Sequence, residues 1–199
     1  LVQPLSIDEA FLDVTGIPHA GEVLARNIQE NIRFEFDLPC SLGVATNKLV
    51  AKIANNIGKA SKSEHSPEPP NAINVIPKGE EALFLAQLPI RELWGVGPKT
   101  AEKMHTMHIK TIGDITRLSR KELQSRFGKQ GVELYERARG IDNRPVHSEH
   151  EAKSISKETT FVHDVSDEEK LTHTLRQLSD GVGRQVRKQG LMGKTVAIK

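Results

Sequence analysis

Cysteine is almost absent from the 199-residue sequence: Cys40 stands alone, so no internal disulfide can form. A reducing compartment such as the cytosol suits that usage. No apolar run reaches membrane-spanning length, and no secretory leader pattern opens the chain. An initiating methionine is lacking too, since Leu1 comes first, and Thr195 to Lys199 reads as a strand in progress. Both ends look cut, which predicts an excised piece of a longer protein. Nor is there a strong charge imbalance: the formal net charge is +2 and excludes no partner.

The distribution of charge says more than its sum. Residues 1–40 hold seven Asp or Glu against two Arg, whereas residues 91–144 hold twelve Lys or Arg against seven Asp or Glu. An acidic region followed by a basic one suits a metal site beside a grip on a polyanion. Ordinary surface variation is the competing explanation.

Hydrophobic periodicity and breakers divide the chain. Val2 to Ser6 and Ala10 to Val14 read as short strands flanking Ile7-Asp8-Glu9. A helix follows from about His19 to Glu35, with Val23, Leu24, Ile28, Ile32 and Phe36 as its apolar stripe. Cys40 to Ala45 is a compact strand, and Thr46 or Asn47 can cap a helix whose Leu49, Val50, Ile53, Ala54 and Ile57 face a core. The proline-rich loop from Ser61 to Asn71 marks a boundary. After a short strand at Ile73 to Ile76, short helices are predicted near 78–86, 90–94, 98–106, 111–117, 120–126 and 129–139. A polar linker at Arg144 to Glu151 precedes a strand-like run, Ser154 to Val162, and an amphipathic helix from Asp167 to Lys188. The fold class is therefore α+β, ending in a partial β-α-β piece.

Three segments carry chemistry. In Ser6-Ile7-Asp8-Glu9-Ala10-Phe11-Leu12-Asp13, two adjacent carboxylates repel unless something offsets them. A hard cation such as Mg²⁺, which takes oxygen ligands, does so. Successive strand residues point to opposite faces, so both acids reach one ion only if the strand bends or ends there. An exposed acidic turn with no ligand is the plainer alternative. In Gly43-Val44-Ala45-Thr46-Asn47-Lys48-Leu49, Lys48 opens a helix, where the dipole disfavours a cation. A phosphate there would reverse the sign; a solvated lysine is the alternative. In Trp94-Gly95-Val96-Gly97-Pro98-Lys99-Thr100, the glycines sit near the offsets of a dinucleotide fingerprint, but that needs a preceding strand, and Leu88 to Trp94 reads as a short helix. Helix, Gly-Val-Gly, helix is instead a helix-hairpin-helix pattern. Its glycines let a backbone approach, its amides and the helix start at Pro98 can accept a phosphate, and Lys99 and Thr100 add a charge and a hydroxyl. A plain helical hairpin is the alternative. Leu123 to Asp142 holds a looser second copy with a mostly packing role.

In this order and spacing, the segments resemble the Y-family DNA polymerases of the bacterial polymerase IV (DinB-like) kind. The resemblance implies a partial palm (an antiparallel sheet with helices) at 1–62 and an all-helical thumb with a helix-hairpin-helix at 63–144. A linker at 145–153 and the start of a little finger at 154–199 follow. It implies that Asp8 and Glu9 are catalytic and bind two Mg²⁺ ions, which activate the primer 3′-oxygen and stabilise the leaving pyrophosphate. It assigns Lys48 to the triphosphate of the incoming nucleotide. Duplex contacts fall to Gly95, Val96, Gly97, Lys99 and Thr100, and to Lys153, Ser154, Ser156 and Lys157 on the first little-finger strand. An edge strand with solvated polar residues explains those last four equally well.

The implied activity is template-directed synthesis across damaged DNA. Its partners are primer–template DNA and a deoxynucleoside triphosphate, with any sliding clamp bound through regions outside this segment, in the cytoplasm at the bacterial nucleoid and without a membrane. The family's first metal-binding Asp and its fingers have no counterpart here, so this segment alone is expected to be inactive. His105, His108, His147 and His150 read as surface residues. Two rivals remain: a non-catalytic helix-hairpin-helix DNA-binding protein, and a nicotinamide enzyme that would require Gly95 at the end of a parallel strand.

Overall fold

The computed structural model describes residues 1–63, 71–148 and 153–198, so most of the predicted loop at 61–71 and the end of the linker lie outside the described residues. The chain forms two compact units, Leu1–Ser148 and Glu149–Lys199. No helix among the described residues is long and apolar enough to cross a membrane.

The first unit begins with an antiparallel hairpin, β1 (Val2–Pro4) and β2 (Ala10–Leu12), in the register Val2↔Leu12, Gln3↔Phe11 and Pro4↔Ala10. Helix α1 (Gly21–Phe36) leads to β3 (Leu42–Val44), α2 (Lys48–Ser63) and β4 (Ile73–Val75). Here the structure corrects the expectation of an antiparallel sheet. β3 and β4 pair in parallel, because α2 carries the chain back along its own length before β4 begins. Asn47 starts α2, its Oδ1 accepting the Val50 amide at 3.0 Å.

Helix α1 bears out its expected stripe in part, with Leu24, Ile28 and Ile32 half-buried. It packs against β3 and β4, yet Ala25 is its one buried residue, and Val23 and Phe36 of the expected stripe are 47% and 65% exposed. Two strands lie only about 5 Å apart. A sheet that narrow covers the middle of a 16-residue helix and leaves its ends bare.

After β4 the chain is helical: α3 (Glu81–Ala86), a 3₁₀ turn (Ile90–Glu92), α4 (Pro98–His105), α5 (Ile112–Ile115) and α6 (Arg120–Arg137). Local chemistry sets these boundaries. Thr111 with Asp114, and Ser119 with Glu122, form reciprocal capping boxes at the starts of α5 and α6. The two helices expected at 120–126 and 129–139 run into one another, but Gly128 (φ 59°, ψ −138°) breaks the geometry between them. One apolar cluster joins α2 to the helical region: Leu49, Val50 and Ile53 lie with Leu85, Ile90, Leu93, Met104, Ile112, Ile115, Leu123 and Leu134.

In the second unit, α7 (Glu168–Lys188) forms as expected, with Asp167 accepting the Glu169 and Lys170 amides. The strands expected at 154–162 and 195–199 are not formed among the described residues. Alternation of polar and apolar residues selects a face, but a strand also needs a ladder partner for its backbone groups, and none lies alongside these runs among the described residues.

Candidate active site and nucleic-acid interface

The strands of the hairpin stop at Pro4 and resume at Ala10, so Asp8 and Glu9 sit in the connecting loop rather than in a ladder. The Leu5 and Ser6 amides donate to the Glu9 carbonyl at 2.8 and 3.2 Å and close that loop. Ser6 Oγ donates to Asp8 Oδ1 at 2.6 Å. This hydroxyl is the main cause that holds the Asp8 carboxyl below its ordinary pKa, with the Lys59 and Lys52 charges adding to it. Glu9 Oε1 pairs with Lys52 Nζ at 2.5 Å and lies 4.0 Å from Lys59 Nζ. The two acids therefore share the field of the same two lysines.

Those lysines were not singled out from the sequence. The signal was present in the spacing: at 3.6 residues per turn, Lys48, Lys52 and Lys59 fall within about 40° of one another around α2. The apolar residues Leu49, Val50 and Ile53 turn into the core, and the lysine stripe faces the hairpin.

Lys48 does not have the open setting that the sequence suggested. It is 9% exposed. Its Nζ donates to Gln3 Oε1 at 3.0 Å and to the Pro145 carbonyl at 2.7 Å, and stands 5.7 Å from the Phe11 ring centre. The amides at the start of α2 also have acceptors of their own, since Leu49 N donates to Asp142 Oδ2 at 3.1 Å.

A divalent metal would find oxygen donors of the right hardness in Asp8 and Glu9. No group of three or more His, Cys, Asp or Glu residues clusters among the described residues. The hairpin fits a metal as two carboxylates of an oxygen donor set.

At the helical hairpin, Gly95 follows a 3₁₀ turn, not a strand, which removes the dinucleotide-fingerprint reading. Gly95 has φ +98°, a conformation that side chains disfavour, and an added Cβ would lie 2.4 Å from Arg137 Nη1. Gly97 differs: its φ is −80° and a Cβ would meet nothing. It caps α4 without a side chain to satisfy the first amides, and Pro98 fills the first helical position. Lys99 is exposed and Thr100 half-buried beside it. Val96 is buried, and its amide donates to the Leu93 carbonyl at 2.9 Å, so both groups are used inside the fold.

The second copy of the motif buttresses the first. Gln130 Nε2 donates to the Gly95 carbonyl at 3.2 Å and Arg137 Nη1 to the Trp94 carbonyl at 3.1 Å. A trans peptide points its N–H opposite to its C=O. Holding the Trp94 carbonyl toward α6 therefore turns the Gly95 amide the other way. In the second unit, Lys153, Ser154 and Ser156 are exposed, and the Lys157 side chain lies against Gly181 of α7, where an added Cβ would meet its Cδ at 2.6 Å.

Comparison with known proteins gives a consistent result along the chain. The model of the impB/mucB/samB family matches residues 1–56. That of the DNA polymerase-iota thumb domain matches residues 91–142, and that of the impB/mucB/samB C-terminal domain residues 152–199. The chain is 41% identical over 202 residues to a DNA polymerase IV of Desulfatibacillum aliphaticivorans, covering 100% of this chain and 48% of the relative. It is 38% identical to a DNA polymerase IV of Alkalilimnicola ehrlichii, covering 100% and 54%. Among solved structures, a Y-family DNA polymerase chimera, Dbh-Dpo4(243-245)-Dbh, matches with a TM-score of 0.77 at 29% identity, over 93% of this chain and 52% of the other. The crystal structure of DinB from Sulfolobus solfataricus matches with a TM-score of 0.62 at 31% identity, over 73% and 41%. The chain thus spans about half the length of the relatives it matches.

Proposed function

Because this chain belongs to the Y-family DNA polymerases, the impB/mucB/samB family, we propose that the protein it comes from extends a primer by template-directed nucleotidyl transfer, including across damaged template bases. The observation that carries this reading is the acid pair at the end of the hairpin, facing two lysines of α2. Asp8 and Glu9 would hold divalent metal, two Mg²⁺ ions in this reading, and bound metal supplies Lewis-acid stabilisation of the charge that develops on phosphoryl transfer. Lys52 and Lys59 neutralise the acids in the ligand-free protein. Their ammonium groups are the cations that face the acid pair, so they are the ones positioned to meet the nucleotide's phosphates. The segment 1–199 lacks a third clustered acid among its described residues, and alone it is inactive in this reading.

The duplex would be held without sequence readout. Gly95, Gly97, Lys99 and Thr100 offer amides, a charge and a hydroxyl at one exposed turn, while Val96 anchors that turn in the core. Lys153, Ser154, Ser156 and Lys157 extend the grip along the second unit. The partners are then primer–template DNA and a deoxynucleoside triphosphate, with clamp contacts made elsewhere in the full protein, on nucleoid DNA in the bacterial cytoplasm. A purely DNA-binding role would leave the acid pair and its lysines without a task.

The test is primer extension by the full-length protein, wild type against Asp8→Ala and Glu9→Ala, with duplex affinity measured alongside. Each variant should lose extension by about a thousandfold or more, the scale of removing a principal electrostatic element, while still binding duplex DNA. Undiminished extension in both variants would remove the catalytic assignment.

A further inference from the structure

The stretch from Gly140 to His147 is neither helix nor strand, yet it is fastened at almost every step to the elements that carry the acid pair. Asn47 Nδ2 donates to the Gly140 carbonyl at 2.8 Å. Asp142 accepts the Leu49 amide in the first turn of α2 and is forked by Arg144, whose Nε and Nη2 reach its two oxygens at 2.7 and 2.8 Å. The Arg144 guanidinium stacks 4.7 Å above the Trp94 ring, and Trp94 in turn lies 5.9 Å from Phe11 of β2. Lys48 Nζ takes the Pro145 carbonyl, and His147 N donates to Gln3 Oε1 at 3.1 Å.

Gln3 Oε1 is the meeting point, since it accepts from both Lys48 and His147. Gln3 also pairs with Phe11 across the hairpin and directly precedes Pro4, where β1 ends. The hairpin buries none of its own side chains. A two-stranded hairpin is marginal in water by itself, so its position depends on such polar fastenings.

We infer that Lys48 and Gln3 are positioning residues: together with the strap 140–147 they fix the acid-bearing hairpin against the first turn of α2, and Lys48 does not carry the nucleotide's phosphates. This rests on the polymerase reading for its catalytic consequence, but not for its structural one. Lys48 has two of its three donors committed and is nearly buried. A phosphate role would require breaking the contacts that hold β1.

The experiment uses the full-length protein and three variants, Lys48→Met, Gln3→Leu and Gln3→Glu. Single-nucleotide incorporation separates the maximal rate from the apparent nucleotide Kd. Lys48→Met and Gln3→Leu should each lower the maximal rate about tenfold or more, the scale of a small misplacement of reacting groups, with nucleotide Kd changed less than about twofold. A fourth variant, Lys48→Met combined with Gln3→Leu, should lose less than the product of the two single losses, because both substitutions break the Lys48–Gln3 bond. Gln3→Glu, which keeps an acceptor for both donors, should stay close to wild type. A raised nucleotide Kd at unchanged rate in Lys48→Met would overturn the inference in favour of phosphate binding, and additive losses would overturn the shared link.

Amide hydrogen exchange across residues 1–13 supplies a readout independent of activity. Both disrupting variants should exchange faster there, with exchange in α4 to α6 unchanged. Protection in 1–13 equal to wild type would overturn the inference even if primers are extended normally. Wild-type protein that extends no primer, with exchange altered as expected, would count against the polymerase reading alone.

Discussion

In the first thirteen residues no side chain is buried, and the strands are held by three residue pairs and by polar contacts to Lys48, Lys52 and Lys59. From Leu85 to Ala138 the opposite holds: Leu85, Leu93, Met104, Ile112, Ile115 and Leu123 are fully buried, and charged groups stay at the rim. Apolar burial is insensitive to direction, whereas hydrogen bonds and ion pairs are not. The helical region can therefore be stable without being exact. The hairpin can be exact with little stability of its own. Under the proposed function the site would admit a nucleotide and a duplex end, and the second arrangement serves that, because buried acids could not be reached.

That contrast predicts a steep difference in mutational cost. Leu123→Ala, inside the helical core, should destabilise the full-length protein by about 2–5 kcal/mol in chemical unfolding. Ile7→Ala, at the fully exposed tip of the hairpin loop, should change stability by less than about 0.5 kcal/mol. Comparable costs at the two positions would break the comparison, because the hairpin would then need an apolar core of its own.

The two glycines of the helical turn should also differ in mutational cost. Gly95→Ala should cost about 1–2 kcal/mol, since an L-residue is placed at positive φ and the Arg137 side chain must shift. Gly97→Ala meets no atom and keeps an ordinary φ, so it should cost less, about 0.5 kcal/mol, because Ala is a poorer N-cap than Gly. Its main cost should appear in duplex affinity, lower by about tenfold if one phosphate contact is displaced. Equal duplex affinity in Gly97→Ala and wild type would remove the DNA role proposed for this turn and leave it a packing element.

Much of this was legible in the residues. Asn47 was expected as a possible cap and does start α2, helices were expected near 111–117 and 120–126, and the turn around Asp8-Glu9 was expected between two strands, because those signals are local. What could not be read was whatever depends on distant partners. Lys48 looked free because its acceptors, Gln3 and Pro145, lie 45 and 97 residues away. Lys52 and Lys59 look like an ordinary wet helix face until the hairpin is folded against them. The bare ends of the α1 stripe, Val23 and Phe36, and the runs at 154–162 and 195–198, unpaired among the described residues, have a related cause. Periodicity names the face an element would bury, but the surface that covers it or the strand that pairs with it is supplied by other parts of the structure.

Asp142 joins the two regions, so its ionisation gives the finest test of how strongly they are coupled. Burial of its side chain works to raise its pKa, but the hydrogen bonds from Arg144, the Arg144 charge and the Leu49 amide outweigh it and hold the carboxyl below the ordinary 3.8. A carboxylate whose folded pKa is depressed contributes stability that is present in full above the unfolded value and fades as pH falls through the folded one. The expectation is a melting-temperature gap between wild type and Asp142→Asn that is constant from neutral pH down to about 4 and narrows below it. Other acids with lowered pKa, such as Asp114 and Glu122, titrate in both proteins and cancel in that difference. A gap that stays the same at every pH would mean that the Asp142 charge does not fasten the strap, and the link between the packed helices and the hairpin would then rest on Lys48 and Gln3.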